Sequence, residues 1–141
     1  MIRRADPQDL PNVLALLGDA ALPTEGVAEH FNTFFVGDDG SRIVACVGLE
    51  LYEYAALIRS LAVTADSRGA GIGAALLRRA IYEVRDCAAG VYALTITAEE
   101  YLARFGFERV PRDLVPQALF ESRELQDACP ASAAVMRWRQ E

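Results

Sequence analysis

The 141-residue chain is long enough to form one domain with its own hydrophobic core and too short for two ordinary domains. We therefore expect a single domain over residues 1–141. The formal net charge of -6 argues against nucleic acid as a partner, because nucleic-acid-binding surfaces usually carry a basic face. All fourteen basic residues are arginine, which excludes mechanisms that need a lysine nucleophile or a lysine Schiff base.

The sequence contains no apolar run of the roughly 18 residues that a membrane span requires, so no membrane association is expected. The segment MIRRADPQDLP lacks the apolar stretch of a signal peptide, and we expect a cytoplasmic protein. Cys46, Cys87 and Cys129 lie about forty residues apart, which fits neither a disulfide framework nor closely spaced zinc ligands. Reduced, mostly buried thiols and no metal site are expected.

The first half of the chain predicts a strand, two helices and a meander. A short strand at IRRA precedes Asp6, a typical N-cap, and Pro7 at the first helical position, and helical spacing of apolar residues then predicts a helix over residues 6–20. Pro23 and Gly26 interrupt the chain before a predicted short second helix over residues 24–31. Three β-branched, apolar runs separated by turn sequences then predict an antiparallel meander: TFFVG, RIVACVGLELY and AALIRSLAV.

The second half alternates helices and strands. Helical spacing of apolar residues predicts a helix from Ile72 to about Cys87, and GVYALTIT is typical of a buried strand. AEEYLARFG predicts a helix that ends at Gly106, which is followed by strands at FERV and SAAVMRWR. The last strand contains Trp138 and offers a contact surface for a homodimer, although an apolar final strand suits a monomer equally well.

The segment VTADSRGAGIGAALLRRA places three glycines in five positions between a strand and a helix. Outward-pointing backbone N–H groups at the start of a helix are typical of a phosphate-binding site. A Walker A loop is excluded because it requires GK[ST] where this chain has GAA. The dinucleotide pattern G-x-G-x-x-A is satisfied by Gly69, Gly71 and Ala74, but it normally follows the first strand of a repeated βαβ sheet. Besides a dinucleotide site, this segment is interpreted either as a coenzyme A site or as a glycine-rich turn that only begins a helix.

Arg68, Gly71 and Gly73 match [Q/R]-x-x-G-x-[G/A], and with this motif the chain resembles the GNAT acetyltransferase superfamily. SLAV looks like the strand that precedes that motif in the family, and YLARFGF resembles its later helix–strand motif. The order of predicted elements is similar to the family across nearly the whole chain. The resemblance implies an α+β fold of the GNAT type, with a mixed, mostly antiparallel sheet flanked by helices on both faces.

Four further stretches resemble small bacterial arsenic-resistance N-acetyltransferases: GLELY, LIRSLAV, LTITAEEYLARFGFERVPRD and CPASAAVM. This resemblance implies an enzyme that moves acetyl from acetyl-CoA to the primary amine of a small amino-acid-like acceptor, with an arsenic-containing glutamate analogue as a candidate. No covalent acyl-enzyme is implied. The alternative is a catalytically weak coenzyme A-binding module, or one that senses an arsenical through its thiols.

The family pattern also implies which groups bind the cosubstrate. Arg68 would lie at the lip of the loop, and Val63 would offer a backbone N–H that polarises the thioester carbonyl. The strand residues Leu61, Ala62 and Val63 would pair their backbone with the pantetheine arm. The pyrophosphate would be held by backbone N–H groups of the loop residues Gly69, Ala70, Gly71, Ile72, Gly73 and Ala74.

One position departs from the family. The family tyrosine that protonates the leaving thiolate lies four residues before the glycine of its motif, and Leu102 occupies that position here. Tyr101 is one residue earlier, and one residue turns a helix by about 100°. The sequence therefore predicts that Tyr101 points away from the cosubstrate and packs between helix and sheet.

Arg59 is predicted to share a strand face with Leu57, Leu61 and Val63, so its charge needs a partner. That partner is either Glu50 or Glu53 in an internal ion pair, or the carboxylate of a substrate. In the second case Arg59 would act as a fork that donates two parallel hydrogen bonds to the carboxylate.

Four other residues are candidates for contact with the substrate. Glu50 is a candidate general base acting through water, although a carboxylate at a strand end is more often simply solvated. His30 is the single histidine and is either a substrate-side base or an ordinary surface residue. Thr95 and Thr97 lie on a strand that faces the cosubstrate arm in the family, but threonine is also a good strand former.

Overall fold

The computed structural model describes residues 1–139 and contains seven strands and three α-helices. In chain order these are β1 Ile2–Arg4, α1 Leu10–Asp19, β2 Phe34–Asp38, β3 Ile43–Tyr52, β4 Ala55–Val63, α2 Ile72–Val84, β5 Gly90–Thr95, α3 Glu99–Ala103, β6 Phe107–Val110 and β7 Ala134–Trp138. The strands form one sheet in the order β1-β2-β3-β4-β5-β7-β6. Among the described strands only β4 and β5 pair in parallel, which confirms the predicted mixed, mostly antiparallel sheet.

The first helix begins where the sequence predicts. The Asp6 side chain accepts the N–H of Gln8, and a 3₁₀ turn over Pro7–Asp9 leads directly into α1. Asp9 also pairs with Arg3 of β1 at 2.8 Å, which ties the helix start to the edge of the sheet. The buried side of α1 packs on one face of the sheet, and α2 and α3 pack on the other. No helix within residues 1–139 is long and apolar enough to cross a membrane.

The predicted helix over residues 24–31 is wrong. The chain there forms successive turns, followed by a 3₁₀ turn over Phe31–Thr33. Gly26 lies at φ +83°, a left-handed conformation that interrupts a right-handed helix. A Cβ at this glycine would lie 3.0 Å from Nη1 of Arg59, so the turns pack directly on a buried arginine.

A β-bulge interrupts β4 and determines which way its residues face. Arg59 pairs with Gly48 and Ala62 pairs with Cys46, so β4 contains one residue more than β3 in this stretch. Ser60 lies in this bulge at φ +60°. Because the extra residue reverses the alternation, Leu61 and Val63 pack toward α2 and do not share a face with Arg59 and Leu57. The predicted common face is therefore wrong beyond Ser60.

Trp138 lies at the end of β7 and is partly exposed, so the homodimer contact stays a prediction. Its ring packs against the core cluster beneath α2, and its Nε1 donates to the carbonyl oxygen of Phe105 at 3.1 Å.

Cys46 is expected to stabilise the bulge. Its buried thiol donates to the carbonyl oxygen of Ser60 at 3.1 Å, so Cys46→Ala removes this hydrogen bond and leaves a small cavity. We expect Cys46→Ala to lower the free energy of unfolding by about 1 to 2 kcal/mol in urea denaturation. The partly exposed Cys87→Ala is the matched control, and an equal loss in both variants would contradict this role.

Candidate functional site

The sheet opens between β4 and β5. The parallel pairing runs from Ala55–Gly90 to Ile58–Ala93 and ends there, although β4 continues to Val63 and β5 to Thr95. Beyond Ile58 the two strands therefore diverge, and the β5 side of β4 is left without a strand partner among the described residues. Such an edge offers free backbone donors and acceptors to an extended ligand.

The backbone of Val63 faces this opening. The N–H of Thr64 donates to Val44 of β3 at 2.8 Å, and backbone groups alternate sides along a strand. The N–H groups of Val63 and Leu61 consequently point away from β3 and into the gap. The carbonyl oxygen of Val63 accepts from Nε of the exposed Arg68 at 3.3 Å, which places Arg68 at the lip of the opening.

A glycine loop borders the same opening at the start of α2. Gly69 and Gly71 lie at φ +88° and +86°, and Gly71 is the N-cap residue of α2. These left-handed conformations let consecutive backbone N–H groups point outward at the positive end of the helix dipole. The loop lines a cleft of about 410 Å³ formed by Val63, Ser67, Arg68, Gly69, Gly71, Ile72, Gly73, Ala74 and Tyr101.

The cleft fits the diphosphate and pantetheine parts of coenzyme A. The glycine loop offers amides to the anionic groups, and no carboxylate of residues 1–139 lines the cleft. The unpaired edge of β4 offers an extended strand to the pantetheine amides.

Tyr101 faces the cleft, so the prediction that it points away is wrong. A Cβ at Gly73 would lie 3.7 Å from the Tyr101 hydroxyl, while the Tyr101 ring packs 5.1 Å from that of Phe105. The reason is the orientation of α3. Leu102 is buried in the core at 6% exposure, and the residue 100° before it therefore faces the cleft.

An ion pair lies on the opposite face of the sheet, just before the bulge. Nη1 of Arg59 donates to Oε2 of Glu50 at 2.6 Å, and both side chains are fully buried. The Tyr52 hydroxyl donates to the other Glu50 oxygen at 2.5 Å. The internal ion pair is confirmed, with Glu50 as the partner, whereas Glu53 is exposed in the turn after β3. Glu50 is also buried and not a solvated carboxylate at a strand end.

Arg59 has little capacity left for a substrate. Its Nε donates to the Ser60 hydroxyl at 3.0 Å and its Nη2 to the carbonyl oxygen of Pro23 at 3.2 Å. Oε2 of Glu124 lies 3.4 Å from the same Nε. Each of its three nitrogens thus has an oxygen partner, and the predicted fork for a substrate carboxylate is not supported.

Glu124 is a second buried carboxyl on Arg59. It lies in a single π-helical turn, Glu124–Ala128, of the β6–β7 connection (residues 111–133), and it is 4% exposed. Burial raises its pKa to about 7. Arg59 opposes this rise, while Glu50 and Glu25 add to it. A carboxyl with a pKa near neutral can exchange a proton at physiological pH.

His30 connects the ion pair to the surface. Its Nε2 lies 3.7 Å from Oε1 of Glu50, and its side chain is 28% exposed. Thr95 has a local role: its hydroxyl oxygen accepts the N–H of Ala98 at 2.8 Å in the turn before α3. Thr97 lies beyond the end of β5 and is exposed.

The three cysteines are reduced and lie in different places. Burial raises the thiol pKa of Cys46 to about 12 and that of Cys129 to about 11. No group of three or more His, Cys, Asp or Glu residues within residues 1–139 is arranged to hold a metal ion.

The sequence interpretation missed Glu124 and Arg112. Both lie in the irregular β6–β7 connection, where no periodic pattern indicates which side chains are buried. One signal was available: a buried arginine needs partners for its charge, and the chain contains twenty acidic residues that could supply them.

The chain is similar to known proteins in sequence and in fold. The model of the Acetyltransferase (GNAT) domain family matches residues 30–109, more than half of the chain. The uncharacterised N-acetyltransferase CT2212 of Chlorobaculum tepidum is 30% identical over 98 residues, which are 68% of this chain and 63% of that protein.

Solved structures share the fold over the whole chain. N-acetylglutamate synthase from Neisseria gonorrhoeae, complexed with coenzyme A and L-arginine, matches with a TM-score of 0.81 and 22% identity, covering 100% of this chain and 33% of that one. Rv2747 from Mycobacterium tuberculosis, in complex with CoA and NLQ, matches with a TM-score of 0.76 and 24% identity, covering 100% and 99%. The predicted fold type is confirmed.

Glu124 is expected to make stability depend on pH. Because its folded pKa of about 7 exceeds the ordinary value of 4.5, the folded protein retains a proton that the unfolded chain releases. The free energy of unfolding should therefore fall as pH rises from 4.5 to about 7 and then level off. Glu124→Gln should remove this contribution, while the exposed Glu121→Gln should retain it. Urea denaturation across this pH range tests the difference, and an unchanged pH profile in Glu124→Gln would contradict it.

Proposed function

The chain belongs to the GNAT acetyltransferase family, and from that premise we propose that it transfers acetyl from acetyl-CoA to the primary amine of a small amino-acid-like acceptor. One observation carries the proposal. The free backbone edge of β4 and the amides of the glycine loop meet in one cleft, with the Tyr101 hydroxyl beside them.

The cosubstrate side depends on the backbone. Acetyl-CoA supplies an acetyl thioester, whose carbonyl carbon the acceptor amine attacks. The amides of residues 69–74 bind the diphosphate, and the edge of β4 binds the pantetheine amides. The N–H of Val63 then donates a hydrogen bond to the thioester oxygen as negative charge develops there.

The acceptor amine must lose a proton before it attacks, and we assign this step to the Glu50–Glu124 pair. The two carboxylates both lie against Arg59, at 2.6 Å for Glu50 and 3.4 Å for Glu124, and burial raises the pKa of Glu124 to about 7. Glu50 takes the proton through a water molecule, and the half-buried His30 beside it passes the proton to solvent. Holding the amine and the thioester in one site lowers the barrier further, because the two reactants no longer lose translational and rotational freedom at the reaction step.

Tyr101 is the candidate acid for the leaving thiolate. Its hydroxyl lies in the cleft beside Gly73, although the residue is one position away from the family tyrosine. The alternative of a catalytically weak module depended on the loss of this acid at Leu102. The Tyr101 hydroxyl in the cleft offers a replacement for that acid and so favours an active enzyme.

The resemblance to arsenic-resistance N-acetyltransferases selects the first acceptors to test. An arsenic-containing glutamate analogue combines a primary amine with acidic groups at both ends. Thiol release from acetyl-CoA should be measured with natural amino acids and with glutamate analogues that carry arsenical or phosphinic head groups. We expect release with at least one of these amines. Tight coenzyme A binding without release across the panel would contradict the proposed enzyme and favour a binding module.

Tyr101→Phe is expected to lower kcat for thiol release about 100-fold, because a positioned general acid typically contributes that much. The KM for acetyl-CoA should change little, since the ring and its packing on Phe105 are retained. The exposed Tyr82→Phe on α2 is the matched control. Equal kcat values for Tyr101→Phe and the wild type would assign the thiolate proton to another group or to water.

A further inference from the structure

Arg112 contains the one buried side-chain nitrogen or oxygen that lacks a hydrogen-bond partner within residues 1–139, its Nη2. The contrast with Arg59 is informative, because every nitrogen of that buried guanidinium has an oxygen partner. A buried charged donor without a partner destabilises the folded protein, so Nη2 of Arg112 needs a partner that the described residues do not supply.

The position of Arg112 brings its charge toward the acceptor side. It begins the 3₁₀ turn Arg112–Leu114 directly after β6, whose Val110 pairs with Val135 of β7. The neighbouring Ala134 pairs with Thr95, at the end of β5 where the sheet opens. Arg112 therefore lies at the open end of the sheet, two strands from β5.

The electrostatics of Cys129 support this placement. Burial raises the pKa of its thiol and Glu124 adds to the rise, whereas the charges of Arg59 and Arg112 both lower it. The charges of Arg112, Arg59 and Glu124 thus all act on the thiol of Cys129. These groups share one neighbourhood on the face of the sheet opposite α2.

Arg112 and Glu124 also lie outside the part of the chain that the family model matches, which ends at residue 109. The β6–β7 connection that carries them covers the ion pair: Glu124 contacts Arg59, and the connection packs its Val115 and Leu119 against Leu57 of β4. Substitutions in this connection can therefore change which acceptor binds without changing the cosubstrate site.

We propose that Arg112 binds the carboxylate of the acceptor, which determines the specificity for an amino-acid-like amine. This inference rests on the proposed function. The acceptor is then a zwitterion whose carboxylate faces Arg112 and whose amino group faces the carboxyls of Glu50 and Glu124. A guanidinium suits this role because it offers paired N–H donors to two carboxylate oxygens. Arg59, which is held by Glu50, keeps a structural role.

The test compares amino acids with their carboxamides, which retain the amine and lose the charge of one carboxylate. L-glutamate, its α-amide and L-glutamine, together with other amino acids and their amides, are titrated into the coenzyme A-loaded protein by calorimetry. Thiol release is measured with the same pairs. We expect the wild type to prefer an acid over its amide by about 10- to 100-fold, the usual range for a charged hydrogen bond. In Arg112→Gln the preference should fall to about threefold or less.

Two matched variants separate recognition from folding. Arg112→Lys retains the charge and should recover part of the preference, while Arg123→Gln removes an exposed arginine of the same connection and should retain all of it. Arg112→Gln should melt no lower than the wild type, because the buried Nη2 has no partner to lose. The affinity for coenzyme A should be unchanged.

The inference is overturned if the wild type shows no preference for any acid over its amide, or if Arg112→Gln retains the preference. A markedly lower melting temperature for Arg112→Gln, together with an intact preference in Arg112→Lys and Arg112→Gln, would assign Arg112 a structural role. A carboxylate preference that depends on Arg112 without thiol release would support this inference and contradict the proposed acetyl transfer.

Discussion

The extra residue in β4 is the constraint on which the site depends. Ser60 is held at φ +60°, with its carbonyl oxygen bonded to Cys46 and its hydroxyl bonded to Arg59. Left-handed backbone is unfavourable for a residue with a side chain, so these contacts must compensate for it. The bulge reverses the alternation of β4. Arg59 therefore faces the buried carboxyls on one side, while Val63 aligns with the glycine loop on the other.

The two sides of the site follow different physical rules. The cosubstrate side consists mainly of backbone groups, at the edge of β4 and at the start of α2. At Gly69 and Gly71 there is open space where a side chain would otherwise lie. The acceptor side consists of charged side chains in a buried setting, where each group needs a partner. Glu50 and Glu124 both pair with Arg59 there, whereas Nη2 of Arg112 has no partner within residues 1–139 and is the group we propose for the acceptor carboxylate. The cosubstrate side can therefore be common to a family, whereas the acceptor side can change with the substrate.

The place of the glycine loop in the fold could be predicted from the sequence, because it depends on glycine position and element order. The spacing of Arg68, Gly71 and Gly73 places the loop at the start of α2, where the structure has it. The acceptor side was harder to predict because it depends on three local features that periodicity does not encode. These are the extra residue at Ser60, the left-handed turn at Gly26 and the irregular connection that brings Glu124 onto Arg59. The orientation of Tyr101 was missed for the same reason, since it depends on which side of α3 is buried.

The most direct test of this account is residue-level amide exchange, measured by NMR with and without coenzyme A. The account predicts slower exchange at Leu61, Val63 and residues 69–74 when coenzyme A binds. It predicts no change at Ala62, because the alternation that sends Val63 into the gap turns the Ala62 N–H toward β3. Binding of coenzyme A without slower exchange at Val63 and the glycine loop would contradict the account.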